Sequence, residues 1–176
     1  MDDALIASID HVVLTTHHEE ACIAFYTGLL GMRLDVFAGA DGRIRKAFVF
    51  GSQKINLHVK GAEFEPKAHL PVPGAVDICL IARQPLDAVI DRVKAHPWPI
   101  LEGPVHRTGA LGPILSIYLR DPDLNLVEIS QYIAYLDISI NRVHRLTQHF
   151  AQACSGFSPR CMLPMSSAVS APRIGC

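Results

Sequence analysis

The segment Ser8-Ile-Asp-His-Val-Val-Leu14 opens the part of the chain that decides the fold. Its alternating, β-branched pattern predicts a strand. The segment Val76-Asp-Ile-Cys-Leu-Ile-Ala82 has the same pattern, with Asp10 and Asp77 in matching places. The sequence therefore contains an internal repeat, and the two halves are expected to fold alike.

A helix is predicted after each of these two strands. Apolar residues recur at helical spacing through 18–30, and Gly31 provides a left-handed stop. Pro85 suits the start of the second helix, where apolar residues at i, i+3, i+4 and i+7 form a stripe along 86–93. That helix cannot pass Pro97, so both helices have defined ends.

Three short strand-like runs follow each helix, separated by turn residues. The order is therefore β-α-β-β-β, twice, in modules 8–60 and 76–131. This order predicts an α+β domain over 1–133, in which the modules form a cupped, largely antiparallel sheet. The runs lie at about 33–37, 44–50 and 54–60, and at about 100–107, 114–119 and 125–131.

The pattern changes after the second module. Residues 134–154 contain an apolar stripe from Tyr135 to Phe150, which predicts an amphipathic helical extension. Residues 155–176 have no acidic side chain and much Ser, Pro and Ala, so a disordered tail without a site is expected.

Composition and charge indicate a globular protein and suggest no highly charged partner. Hydrophobic residues make up 49% and charged residues 19%, as in globular proteins, and the formal net charge is -1. This balance gives no reason to expect nucleic acid or an anionic membrane as a partner. The start of the chain does not look like a secretory signal, and the 5 cysteines are scattered. A reducing, cytoplasmic location is therefore expected.

Three residues stand out because they recur at equivalent places in the two modules. His11 lies in the opening strand, His58 in the fourth strand of module one and Glu128 in the fourth strand of module two. Two imidazoles and one carboxylate are a common facial set of metal ligands with open coordination positions. The repeat therefore predicts a metal site at His11, His58 and Glu128.

Several motifs resemble the vicinal oxygen chelate superfamily, which includes glyoxalase I, fosfomycin-resistance thiol transferases, extradiol dioxygenases and bleomycin-binding proteins. The resemblance covers about 9–133, and further stretches resemble its glyoxalase-domain-containing protein 5 branch. The superfamily motifs are Ile9-Asp-His11, Phe25-Tyr26, Leu30-Gly31-Met32 and Arg120-Asp-Pro-Asp123 followed by Asn125-Leu-Val-Glu128. The branch motifs are Phe64-Glu-Pro-Lys67, Pro71-Val-Pro-Gly74, Glu102-Gly-Pro104 and Arg107-Thr-Gly109.

The resemblance implies ligands from the first and fourth strands of each module. Carried over, these positions are His11, His58, Ile78 and Glu128, and Ile78 departs from the pattern because it cannot bind metal. The resemblance thus implies one divalent ion per chain on three ligands, with Zn, Ni, Mn and Fe all open. It also implies a homodimer.

The expected function is a metal-dependent enzyme of the glyoxalase kind, a lyase or isomerase, acting on a small molecule with vicinal oxygens. The metal would stabilise an enolate as a Lewis acid, and Glu128 is the candidate base. Tyr118, on the strand next to Glu128, is a candidate to present a hydroxyl to the substrate, with core packing as the alternative. Arg107 is a candidate to bind an anionic group, with a surface salt bridge as the alternative. The alternatives are an Fe(II) extradiol-type dioxygenase and a non-catalytic protein that binds a small molecule, as bleomycin-resistance proteins do.

Overall fold

The computed structural model describes residues 3–134. The tail predicted at 155–176 lies outside the described residues, and so does the predicted extension at 134–154 apart from Ala134. No helix within the described part is long and apolar enough to cross a membrane.

The first module has the predicted β-α-β-β-β order. The first helix, Glu19–Ile23, continues directly as a π-helical segment, Ala24–Leu29. At the end of this segment the Leu30 N–H donates to the carbonyl of Phe25 at 3.1 Å. The chain then leaves the helix at Gly31, whose φ of 72° is the left-handed conformation that glycine adopts without strain. The elements are β1 (His11–Thr16), α1 (Glu19–Ile23), β2 (Arg33–Ala38), β3 (Ile44–Phe50) and β4 (Gln53–Val59).

The second module repeats this order. Its helix begins after Pro85, and the Leu86 N–H donates to Oε1 of Gln131 at 2.7 Å, which fixes the helix start to the neighbouring sheet. The elements are β5 (Asp77–Ile81), α2 (Leu86–Lys94), β6 (Glu102–Gly109), β7 (Gly112–Arg120) and β8 (Leu126–Tyr132).

The eight strands are divided between two four-stranded sheets. The first sheet has the order β1-β4-β3-β2 and the second has the order β5-β8-β7-β6. In each sheet the outer pair, β1–β4 or β5–β8, is parallel and the other two pairs are antiparallel. The α+β class and the two repeated modules are confirmed.

Both sheets bury one face in a common core with the helices. Leu14 and Phe48 of the first sheet belong to the same buried cluster as Ile117 and Val127 of the second. Tyr26, from the helical segment, stacks on Phe48 with ring centroids 4.8 Å apart. Because side chains alternate along a strand, each sheet has a second face turned away from this core. These two faces are called the open faces below.

The turn between β7 and β8 connects the two modules through hydrogen bonds. The buried carboxylate of Asp121 accepts bonds from Tyr26 Oη at 3.1 Å and from the Asn125 N–H at 2.9 Å. Asp123 accepts from the His17 N–H at 2.9 Å and from the Thr16 hydroxyl. The Arg120–Asp123 motif therefore holds the turn against the first module. Its two aspartates have a structural role in these hydrogen bonds.

Candidate functional site

The open face of the second sheet carries a cavity of about 370 Å³. Its charged lining consists of three carboxylates and two guanidinium groups, beside a phenol and two leucines. This mixture of apolar wall and a few polar groups is typical of a small-molecule site. The lining residues are Asp77, Leu101, Glu102, Arg107, Tyr118, Arg120, Leu126 and Glu128.

Glu128 lies near the middle of this face. It pairs with Cys79 on β5 and with Tyr118 on β7, so its side chain stands between theirs. One carboxylate oxygen, Oε1, accepts a bond from the Ser130 hydroxyl at 3.1 Å. Glu128 therefore has a fixed position and a carboxylate that faces the cavity.

Tyr118 faces Glu128 from the adjacent strand, as the sequence predicted. Its hydroxyl oxygen accepts a bond from Arg107 Nε at 3.0 Å. Burial raises the pKa of Tyr118, and the Glu128 carboxylate raises it further, against the opposing effect of Arg107. Tyr118 is therefore a protonated phenol at neutral pH, with an O–H that can donate to a bound oxygen.

Arg107 is held by groups of its own chain. Its Nη2 lies 2.8 Å from Oε1 of Glu102, and its guanidinium carbon lies 5.3 Å from the centre of the Tyr118 ring. The Glu102 carboxylate is the main reason that the pKa of Arg107 is raised, and the bond to Tyr118 adds to it. Binding of an anionic substrate by Arg107 stays a prediction, because its charge already faces Glu102.

The strand register corrects the position assigned to Ile78. His11 opens β1 and pairs with Lys54, whereas Asp77 opens β5 and pairs with Leu126. Asp77 is therefore the counterpart of His11, and Ile78 is one residue out of step. The side chain of Ile78 packs against the core, while Asp77 lines the cavity. A shift of one residue exchanges the two faces of a strand, so the alignment of Ile78 with His11 was wrong.

The register also changes the counterpart of Glu128. Glu128 lies two positions beyond Leu126, which pairs with Asp77, and the matching residue of the first sheet is Asn56, two positions beyond Lys54. His58 pairs with Thr15, four positions along from His11. At the usual rise per residue, His11 and His58 are separated by about 13 Å along the strands. The equivalence of His58 with Glu128 was therefore wrong.

The two histidines have different surroundings on the open face of the first sheet. His11 is exposed, with Nδ1 2.7 Å from the carboxylate of Asp10. His58 is only 9% exposed and its ring meets Phe64 edge-on, with centroids 5.1 Å apart. Burial lowers the pKa of His58, and its Nδ1 has no hydrogen-bond partner. His58 is thus a neutral, enclosed imidazole.

The structure does not bring His11, His58 and Glu128 together within one chain. Glu128 is on the second sheet, and the two histidines are on the first, far apart along its strands. Within residues 3–134, no three side chains of the His, Cys, Asp or Glu type are grouped closely enough to hold a metal ion. Metal binding therefore stays a prediction.

Two carboxylates of the cavity were missed by sequence reasoning, those of Asp77 and Glu102. The signal for Asp77 was present, because it alternates with Ile78 in a strand whose apolar residues mark the buried face. Glu102 had no such signal. Its position opposite Tyr118 depends on a bulge between Glu102 and Val105 in β6, which alternation alone does not reveal.

Comparisons with known proteins agree with this fold. Residues 8–129 match the model of the Glyoxalase/Bleomycin resistance protein/Dioxygenase superfamily. The chain is 51% identical over 127 residues to the glyoxalase domain-containing protein RDO1 of Mycosarcoma maydis, covering 72% of this chain and 69% of that protein. It is 49% identical over 129 residues to virulence protein STM3117 of Salmonella typhimurium, covering 73% and 87%.

Solved structures give the same result. The crystal structure of STM3117 superimposes with a TM-score of 0.67, covering 74% of this chain and 100% of that one. A lactoylglutathione lyase from Agrobacterium tumefaciens has a TM-score of 0.53 at 21% identity, covering 72% and 94%, and so shares the fold alone. From its repeated modules, its open-face cavity and these matches, the chain belongs to the glyoxalase/bleomycin resistance protein/dioxygenase superfamily.

Proposed function

We propose that this chain is a cytoplasmic enzyme of the lyase or isomerase kind, acting on a small molecule with vicinal oxygens. The observation that carries the proposal is the pair of Glu128 and Tyr118, which face each other across β8 and β7 inside the cavity. A carboxylate and a phenol in this arrangement form a base and a hydrogen-bond donor on the same substrate.

The two side chains have complementary roles in the proposed reaction. Glu128 takes a proton from the hydroxyl-bearing carbon next to a carbonyl group and returns it to the former carbonyl carbon, while the hydroxyl proton passes to the former carbonyl oxygen. Tyr118, kept protonated by burial and by the Glu128 charge, donates to the carbonyl oxygen as negative charge develops on it. The leucines at 101 and 126 provide an apolar wall beside these two side chains.

A divalent ion remains part of the proposal, although the donors among residues 3–134 of one chain do not complete a site for it. Asp77 and Glu128 supply two carboxylates to the same cavity, two residues apart in register on neighbouring strands. No imidazole of residues 3–134 joins them, and the reaction steps above are therefore assigned to Glu128 and Tyr118 alone.

The proposal is tested by turnover of hemithioacetals formed from glutathione and 2-oxoaldehydes, with other α-hydroxycarbonyl compounds in the same panel. Glu128→Gln keeps the shape but removes the base, and we expect kcat to fall by about 100-fold or more. Tyr118→Phe should lower kcat by about 10- to 100-fold with little change in KM. Glu20→Gln, which changes an exposed carboxylate on α1, is the control and should retain full activity.

Other results would point to other functions. Ring opening of a catechol with uptake of oxygen would identify a dioxygenase. Tight binding of a small molecule without turnover, unaffected by Glu128→Gln, would identify a binding protein. Full activity of the Glu128→Gln enzyme would contradict the base assigned here.

A further inference from the structure

The cavity contains a chain of contacts that reaches Tyr118 from β6. Glu102 Oε1 lies 2.8 Å from Arg107 Nη2, and Arg107 Nε donates to Tyr118 Oη at 3.0 Å. The remaining Arg107 contact, from Nη1 to the carbonyl of His106 at 3.2 Å, also lies within the chain. All three nitrogens of the guanidinium are engaged, and each contact helps to hold it against the phenol.

An irregularity in the backbone of β6 allows Glu102 to reach Arg107 and Tyr118. Glu102 pairs with Tyr118 and Val105 pairs with Ser116, so β6 has one more residue than β7 between these pairs. This bulge includes Gly103, with a φ of 114°, and a Cβ there would lie 2.5 Å from the carbonyl oxygen of Ser116. Only glycine fits this close approach. The bulge restores Glu102 to the same face as Tyr118 and Arg107.

The contact from Arg107 also affects the direction in which the Tyr118 O–H points. Because the Tyr118 oxygen accepts from Arg107, its own O–H is directed elsewhere, and Glu128 lies directly opposite. Without Arg107, no contact would hold the phenol oxygen from this side, and the Tyr118 O–H could rotate toward solvent.

We infer that Glu102 and Arg107 are positioning residues that orient the Tyr118 hydroxyl toward the substrate. The inference rests on the proposed function for its catalytic meaning. It differs from the expected role of Arg107, because the guanidinium acts through Tyr118 instead of binding an anionic group of the substrate itself. Glu102, which was not among the predicted site residues, is as necessary as Arg107.

The first test follows the Arg107 side chain by NMR in full-length protein labelled with ¹⁵N at arginine. The Arg107→Gln spectrum assigns the Nε–H signal. Because this N–H donates to Tyr118 and Glu102 holds the neighbouring Nη2, we expect Tyr118→Phe and Glu102→Ala each to lower its protection from solvent exchange by about 10-fold. Arg120→Gln removes the same charge from the same cavity without touching Tyr118, and serves as the control that leaves the signal unchanged.

The inference is overturned if Tyr118→Phe or Glu102→Ala leaves the Arg107 Nε–H signal unchanged, or if Arg120→Gln lowers its protection equally. If a substrate is turned over, Arg107→Gln should lower kcat by about 10-fold with KM unchanged, and should lower it no further in the Tyr118→Phe background. A loss of the same size in both backgrounds also overturns it. Absence of any turnover by the wild-type protein would contradict the proposed function alone, because the NMR measurement does not depend on catalysis.

Discussion

Asp77 and Ile78 show how well the sequence predicts which side chain of a strand faces the cavity. The strand was predicted, and Asp77 was matched with Asp10, but the ligand position was assigned to Ile78. The alternation of exposed Asp77, partly buried Ile78 and exposed Cys79 shows that only Asp77 and Cys79 face the cavity side. Successive side chains of a strand point to opposite faces of the sheet. An alignment error of one residue therefore assigns every side chain of the strand to the wrong face.

This correction gives a prediction for a pair of neighbouring substitutions. Ile78→Asp places a carboxylate against the core cluster, and we expect it to lower the free energy of unfolding by about 3 kcal/mol. Asp77→Asn, on the open face, should change it by no more than about 0.5 kcal/mol. Urea denaturation of both variants decides the matter. Equal stabilities would contradict the register on which Asp77 replaces Ile78.

Elements were predicted more reliably than residues. All eight strands and both helices occur where the apolar pattern placed them, with ends that differ by a few residues. The differences have tertiary causes. The π-helical segment Ala24–Leu29 and the bulge of β6 depend on packing and on the close approach of Gly103 to Ser116, which local sequence does not encode.

The loop after β4, residues 61–67, is stabilised by contacts between residues that are close in the sequence. Glu63 accepts a bond from the Gly61 N–H at 3.1 Å and lies 3.3 Å from Lys67 Nζ and 3.6 Å from Lys60 Nζ. The backbone bond from Gly61 is the largest cause that lowers the pKa of Glu63 from 4.5 to about 2. Phe64, the next residue, meets the His58 ring edge-on.

This arrangement predicts a pH-dependent loss of stability. A lowered pKa in the folded state stabilises the fold fully above the unfolded value of 4.5, and the effect is lost as the pH falls toward about 2. Glu63→Gln should therefore lower the urea midpoint at pH 7, and its difference from wild type should shrink between pH 4.5 and 2. Glu65→Gln, a control in the same loop with an exposed carboxylate, should show a smaller difference. A Glu63→Gln difference that persists unchanged at pH 3 would argue against this account.

At the scale of the whole molecule, the sequence predicted two modules. It did not predict which sheet face carries each of the candidate metal donors. The repeat suggested that both open faces contribute to one metal site. In the structure both sheets share a core through their other faces, and His11 is on a different sheet from Asp77 and Glu128. Pattern alone cannot show this, because periodicity identifies the buried face without identifying what the open face meets.

The last prediction follows from this separation. We expect the chain to form a homodimer in which His11 of one copy completes the donor set of Asp77 and Glu128 of the other, so that His11→Ala and Glu128→Gln each lose bound divalent metal. His58→Ala should retain it, because His58 is enclosed by Phe64 and four positions from His11.

Mixing the two metal-free variants through unfolding and refolding provides the decisive measurement. Random pairing in a two-fold symmetric dimer places half of the chains in heterodimers, each with one intact site of two, so about one quarter of the wild-type metal content should return. Sedimentation fixes the oligomeric state and elemental analysis gives the metal content. A monomer, or a mixture that recovers no metal, would show that the donors do not come from two copies. Retention of metal by His11→Ala would exclude His11 as the donor.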